Sequence, residues 1–180
     1  WDDSDDDSDG HPFNDPADAT LDGGNHGFRP VGTMATPFTG VYAGGGHVIR
    51  NLPIQRSGQA VVGLFGHLQG AFVDSLGLDR VAVFGGDSTG ALAGSASQTT
   101  VRRSFSRGDV TGATAVGGLV GVSTDLTLAD VYTVTRITAV SDAGSLAGRA
   151  DNPAVSNAYA GGAVSPLGPG GVLAHPLAHP

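Results

Sequence analysis

Short apolar runs punctuated by glycine recur along most of this chain at a regular interval. Four segments align without gaps inside them: Gly63-Leu64-Phe65-Gly66, Ala91-Leu92-Ala93-Gly94, Gly118-Leu119-Val120-Gly121 and Ser145-Leu146-Ala147-Gly148, whose leucines are 28, 27 and 27 residues apart. A fifth, degenerate copy is read at Gly171-Val172-Leu173-Ala174, with Val172 standing 26 residues after Leu146. Nine residues past each leucine comes Val73, Val101, Leu128 or Val155, and nine further come Val110, Ile137 and Val164, with Val83 one residue late in the first unit. Apolar positions at thirds of a repeat predict a coil with three sides and one inward anchor per side, with glycines expected at the φ > 0 corners. At about 3.3 Å per residue, nine residues hold a strand of about four or five plus a corner, and coils about 4.8 Å apart would stack into a rod about 25–30 Å long. The expected fold is all-β: a right-handed parallel β-helix, a triangular β-solenoid of about 27 residues per coil.

The pattern does not reach the start of the chain. Residues 1–26 are dominated by Asp, Ser, Gly and Pro with almost no apolar periodicity, so they cannot build a core and are read as an Asp-rich head. Residues 27–180 are read as the solenoid, whose last coil fades from about residue 168.

Composition sharpens this picture. All acids are Asp and all bases Arg; the lack of Glu and Lys removes two good helix formers, while abundant Gly, Thr, Ser and Val favour short strands. The aliphatics are mostly Val, Leu and Ala, which implies a narrow core. A net charge of −8 argues against a nucleic-acid partner and fits an acidic extracellular surface. With no cysteine, a disulfide framework and a thiolate metal site are excluded. No apolar run approaches the roughly 20 residues of a membrane span, and no signal segment opens the chain, which begins at Trp1 and so reads as a processed form or a fragment.

At these residues the chain resembles the GLUG-motif repeat family of bacterial surface adhesins and secreted-peptidase-associated proteins. The resemblance covers roughly residues 20–166 and rests on Val62-Gly63-Leu64-Phe65-Gly66 and Val116-Gly117-Gly118-Leu119-Val120-Gly121. It rests also on a second half-motif, Val101-Arg102-Arg103-Ser104-Phe105-Ser106-Arg107-Gly108-Asp109-Val110 and Val155-Ser156-Asn157-Ala158-Tyr159-Ala160-Gly161-Gly162-Ala163-Val164. Upstream, Gly27-Phe28-Arg29-Pro30-Val31-Gly32, Phe38-Thr39-Gly40-Val41-Tyr42 and Gly44 to Leu52 resemble the opening coil that precedes such repeats, with Ala43-Gly44-Gly45-Gly46 in place of the usual Asp-Gly-Asn-Gly turn. The resemblance implies a scaffold, which is informative about fold and much less so about function.

The sharpest local motif lies in the head. Asp5, Asp7 and Asp9 alternate ahead of Gly10, with Asn14, Asp15 and Asp18 following, a spacing by which a loop wraps carboxylate oxygens around Ca²⁺. Asp5, Asp7, Asp9, Asp15 and Asp18 are the candidate calcium ligands, a solvated acidic tail being the alternative; Pro16 stands where an EF-hand has its Glu. The six histidines are scattered, and the prolines beside His175 and His179 deny that pair a helix, so they read as turn or surface residues. Phe105, Tyr132 and Tyr159 fall 13 residues after successive leucines and should form one aromatic column, either stabilising the rod or stacking on glycans as a ligand-binding site. Asp74 with Arg102, and Arg103 with Asp130, share repeat positions and suggest inter-coil ion pairs, in which the Arg102, Arg103 and Arg107 cluster would find partners.

Asp74, Asp79, Asp109, Asp130 and Asp151 do not share one repeat position, as acid/base work across coils would need, so no catalytic residues are assigned and the chain is expected not to be an enzyme. Nor do Thr111, Thr133, Thr135 and Thr138 form the flat array an ice-binding face needs. The expected function is a structural or adhesive extracellular module of a bacterial surface protein or filament. Its partners would be further copies or adjoining repeats stacked end to end through terminal coils; the alternative is a glycan-binding module using the aromatic column.

Overall fold

The computed structural model describes residues 26–166 and 173–174, and among them every regular element is a β-strand. All strand pairs are parallel and join residues one repeat apart: Phe72 pairs with Thr100, Thr100 with Thr127 and Thr127 with Ala154. The chain is therefore a β-solenoid of about five turns walled by three sheets. One sheet stacks Val61–Val62, Ser88–Gly90, Ala115–Gly117 and Asp142–Gly144, and a second stacks Phe65–Gln69, Ala93–Ser97, Val120–Thr124 and Ala147–Asp151. The third and longest bends around a corner: Phe72–Asp74 and Gly77–Phe84 lie below Thr100–Arg102 and Phe105–Thr111, and Thr127–Ala139 spans both segments as one strand, followed by Ala154–Gly161 and Val164–Pro166.

The inward positions follow from strand alternation. Leu64, Leu92 and Leu119 are buried in one column whose backbone runs Leu92 N–H to Leu119 O at 2.9 Å and Leu119 N–H to Leu146 O at 2.9 Å. Val73, Val101 and Leu128 make the second column, and Val83, Val110 and Ile137 the third. Burial lapses in the last full coil, where Leu146 and Val164 are half-buried and Val155 is exposed. The lumen is not purely aliphatic. Ser106 and Thr133 also point inward, and their hydroxyls donate across it to Gly118 O (2.6 Å) and Ser145 O (2.7 Å), the residues just before Leu119 and Leu146.

The corners differ from expectation. Eight of the positive-φ residues form two columns, Gly70, Gln98, Asp125 and Asn152, and Ser75, Arg103, Asp130 and Asn157, only one of them glycine; Gly27, Gly32, Gly45, Gly46, Gly108 and Gly162 take positive φ elsewhere. Asn and Asp tolerate this region because their short side chains bond locally. Here they bond between coils, Asn152 Nδ2 to Asp125 Oδ1 (2.5 Å) and Asn157 Nδ2 to Asp130 Oδ1 (3.0 Å). The motif glycines serve close approach instead: a Cβ on Gly117 would lie 1.9 Å from Val120 O, and one on Gly121 2.5 Å from Gly94 O.

The fifth repeat also takes another register. Leu173–Ala174 pairs with Ala143–Gly144, so Leu173 follows the Val62, Thr89, Val116, Ala143 positions, whereas the spacing aligns Leu173 with Ala147; Val172 lies outside the described residues. Any inward column accepts an apolar residue, so a lone Val-Leu pair does not fix its own phase. At the other end, Val41–Ala43, Val48–Arg50 and Pro53–Gln55 build an irregular opening coil, with Val31 and Phe38 bridging to Phe65 and Leu68. Aromatics fill that end, Phe38 and Tyr42 packing on Phe65 at ring-centroid distances of 5.1 and 5.6 Å.

Candidate functional site: an aromatic and arginine wall

The outer surface of the long sheet gathers most of the side chains with chemistry. Along Phe105–Thr111, Ser106 and Val110 point inward, which turns Phe105, Arg107 and Asp109 outward; the same alternation turns Tyr132, Val134 and Arg136 outward along Thr127–Ala139. Register then places Phe105 beside Tyr132 and Tyr132 beside Tyr159.

The expected aromatic column is present in register and uneven in geometry. Phe105 and Tyr132 stack with centroids 4.8 Å apart and planes 5° from parallel, and the Phe105 ring extends over Gly77, where a Cβ would meet it at 2.5 Å. Tyr159 does not continue the stack. Its ring leans along its own strand over Gly161, whose added Cβ would stand 3.1 Å from the Tyr159 hydroxyl, and 65% of the residue is exposed. Arg107 lies 5.6 Å from the Phe105 centroid and 5.5 Å from that of Tyr132.

The ion pairs form, with other partners than the repeat positions suggest. Asp74 is in register with Arg102 but is bonded by Arg103, which also donates to Ser75 Oγ at 3.1 Å. The left-handed corner at Arg103 (φ 47°) swings its side chain back over the preceding coil. Arg102 instead lies over Phe72 (5.8 Å), and Asp130 accepts from Asn157. Further pairs join Arg50 and Arg80 to Asp79, Arg136 to Asp109 and Arg149 to Asp142. In each pair the arginine is more than half exposed, although Asp74 and Asp79 are mostly covered; the most exposed pair, Arg136–Asp109, contributes at most about 1 kcal/mol.

The calcium candidates Asp5, Asp7, Asp9, Asp15 and Asp18 lie outside the described residues, as do His11, His175 and His179. Among the described residues no group of three or more His, Asp or Glu could hold a metal ion. His26 Nδ1 meets Gln55 O at 2.7 Å and His67 is buried, so the histidines are spread over different places. Sequence reasoning missed the inward hydroxyl column of Ser106 and Thr133; its signal was a polar residue at an inward position of two successive repeats.

No family model matches the chain and no solved structure matches it, so the likeness to GLUG repeats rests on the motifs. A stretch of 89 residues, 47% of the chain, is 42% identical to part of halomucin from Haloquadratum walsbyi. That stretch amounts to 1% of halomucin's length.

Proposed function

We propose that this chain is a non-catalytic structural module of a surface protein, a GLUG-type rod segment that joins its neighbours end to end. The β-solenoid and the similarity to halomucin point to a structural module of a repeat-bearing surface protein, at an extracellular or surface location. What carries the assembly reading is the state of the two terminal coils. Val41–Ala43 is paired only with Phe72–Asp74, and Ala154–Gly161 only with Thr127–Ala139, leaving one edge of each open among the described residues. Exposed aliphatics accompany both edges, Val41 at 72% and Met34 at 61% at one end and Val140 and Val155 at the other. An open parallel edge flanked by column ends is a template for another strand.

The test is light scattering over a concentration series, with negative-stain microscopy. Mass that grows with concentration, together with unbranched rods one solenoid wide, supports the reading. A monodisperse monomer at the highest concentration, without rods, overturns assembly through terminal coils.

A further inference from the structure

Among the arginines of the long wall, Arg50, Arg80, Arg103 and Arg136 each pair with an Asp, whereas Arg102, which lies over Phe72, and Arg107 make no ion pair among the described residues. The neighbours of Arg107 are the rings of Phe105 and Tyr132, 5.6 and 5.5 Å from its guanidinium carbon, and those rings are stacked 4.8 Å apart. Cation–π attraction holds the guanidinium against the rings, and its N–H donors have no carboxylate partner among the described residues.

Apolar surface borders that charge on one side, and the exposed Asp109–Arg136 pair lies on the other. The face of Tyr132 turned away from Phe105 carries no second ring among the described residues, because Tyr159 leans over Gly161 and exposes its own ring. Val134, one strand over from Arg107 in register, is exposed as well. These groups lie on a flat sheet face, which suits a ring with a flat apolar side better than an extended peptide that needs a groove or a free strand edge.

We propose that Arg107, Tyr132 and Tyr159 form a binding site for an anionic sugar, carboxylated or sulfated. The C–H face of the pyranose lies against the tyrosine rings, and the guanidinium fork takes the anionic group by paired N–H donors. The chain's overall charge of −8 does not forbid this: nine of its 17 acids lie in residues 1–25, so residues 26–166 carry nine Arg against eight Asp. The site is independent of end-to-end assembly, and its test is done on the soluble full chain.

Calorimetric titrations would compare a galacturonate oligosaccharide, a sulfated galactose oligosaccharide, a neutral galactose oligosaccharide and a tetra-aspartate peptide. At least one anionic sugar is expected to bind about tenfold or more tightly than the neutral sugar and the peptide, the discrimination given by a hydrogen-bonded charge. Arg107→Gln should lower that affinity about tenfold, to the neutral level, and Tyr159→Ala about fivefold, while Arg149→Gln on another wall leaves it unchanged. Both site residues are exposed, so the melting temperature should stay at the parent value and report an intact fold. No binding of either anionic sugar, equal binding of the peptide, or an affinity unmoved by Arg107→Gln and Tyr159→Ala would overturn the site.

Discussion

At the scale of single residues, the lumen separates two threonines that the sequence cannot tell apart. Thr133 and Thr135 are both buried on the same strand, but the Thr133 hydroxyl donates to Ser145 O whereas Thr135 Oγ1 has no partner. Replacing Thr133 by Val leaves a carbonyl unsatisfied and should destabilise by about 1–3 kcal/mol, while Thr135→Val removes an unpaired polar group and should stabilise by about 1 kcal/mol. Chemical denaturation of the two variants checks the pair, and a common sign would contradict the bonding. The leucine column gives a graded version. Leu119 is fully buried and Leu146 half-buried, so Leu119→Ala should cost about 2–5 kcal/mol and Leu146→Ala clearly less, with Leu119→Asp unfolding the chain because it buries an unpaired charge. The three apolar columns were legible because Val and Leu recur at fixed steps. The hydroxyl column was not, since Ser and Thr serve inside and outside alike.

At the scale of strands and corners, legibility divides by what fixes the backbone. Strand register followed from the spacing of Leu64, Leu92, Leu119 and Leu146, because a slip of one residue would turn every inward side chain outward. The corners did not follow, since glycine is only one way to reach positive φ, and its placement here answers backbone crowding at Gly117 and Gly121. This gives opposite expectations for two substitutions. Gly117→Ala should cost about 3 kcal/mol or more, because its Cβ would overlap a carbonyl that the neighbouring coil holds in place. Gln98→Gly, at an exposed corner with φ 49° and no side-chain bond, should be neutral or stabilise by up to about 1 kcal/mol as left-handed strain offsets the added chain entropy. Thermal melts of the two, compared with Asn152→Gly, which also loses its bond to Asp125, would show whether corners or crowding govern the repeat. The ion pairs illustrate the same limit: sequence placed Arg102 against Asp74, but a left-handed turn at Arg103 delivered the neighbouring side chain instead.

At the scale of the whole molecule, end-to-end stacking makes quantitative demands that flank-to-flank packing does not. About five coils at about 4.8 Å each give an axial repeat near 24 Å per copy, so rods should carry one 17.9 kDa chain for roughly that length and keep a constant width. Flank packing would thicken the rods and raise the mass per unit length. Val155 tests the junction directly: it pairs with the inward Leu128 position on the open edge strand, and it is exposed there. A lysine at Val155 puts an inward charge at the edge, a feature that natural sheets use to block strand addition, while its aliphatic stem can still cover the buried Leu128. Val155→Lys should therefore abolish rods and leave the melting temperature of the dilute chain within about a degree or two of the parent. Salt gives an independent sign. Chains of net charge −8 repel at low ionic strength, and screening shortens that repulsion from about 10 Å at 0.1 M to about 3 Å at 1 M, so apolar, backbone-paired junctions should form more readily as salt rises. Junctions made by ion pairs would weaken over the same range, and dissolution of rods by 1 M salt, or growth of Val155→Lys rods at the parent rate, would place the contact elsewhere on the molecule.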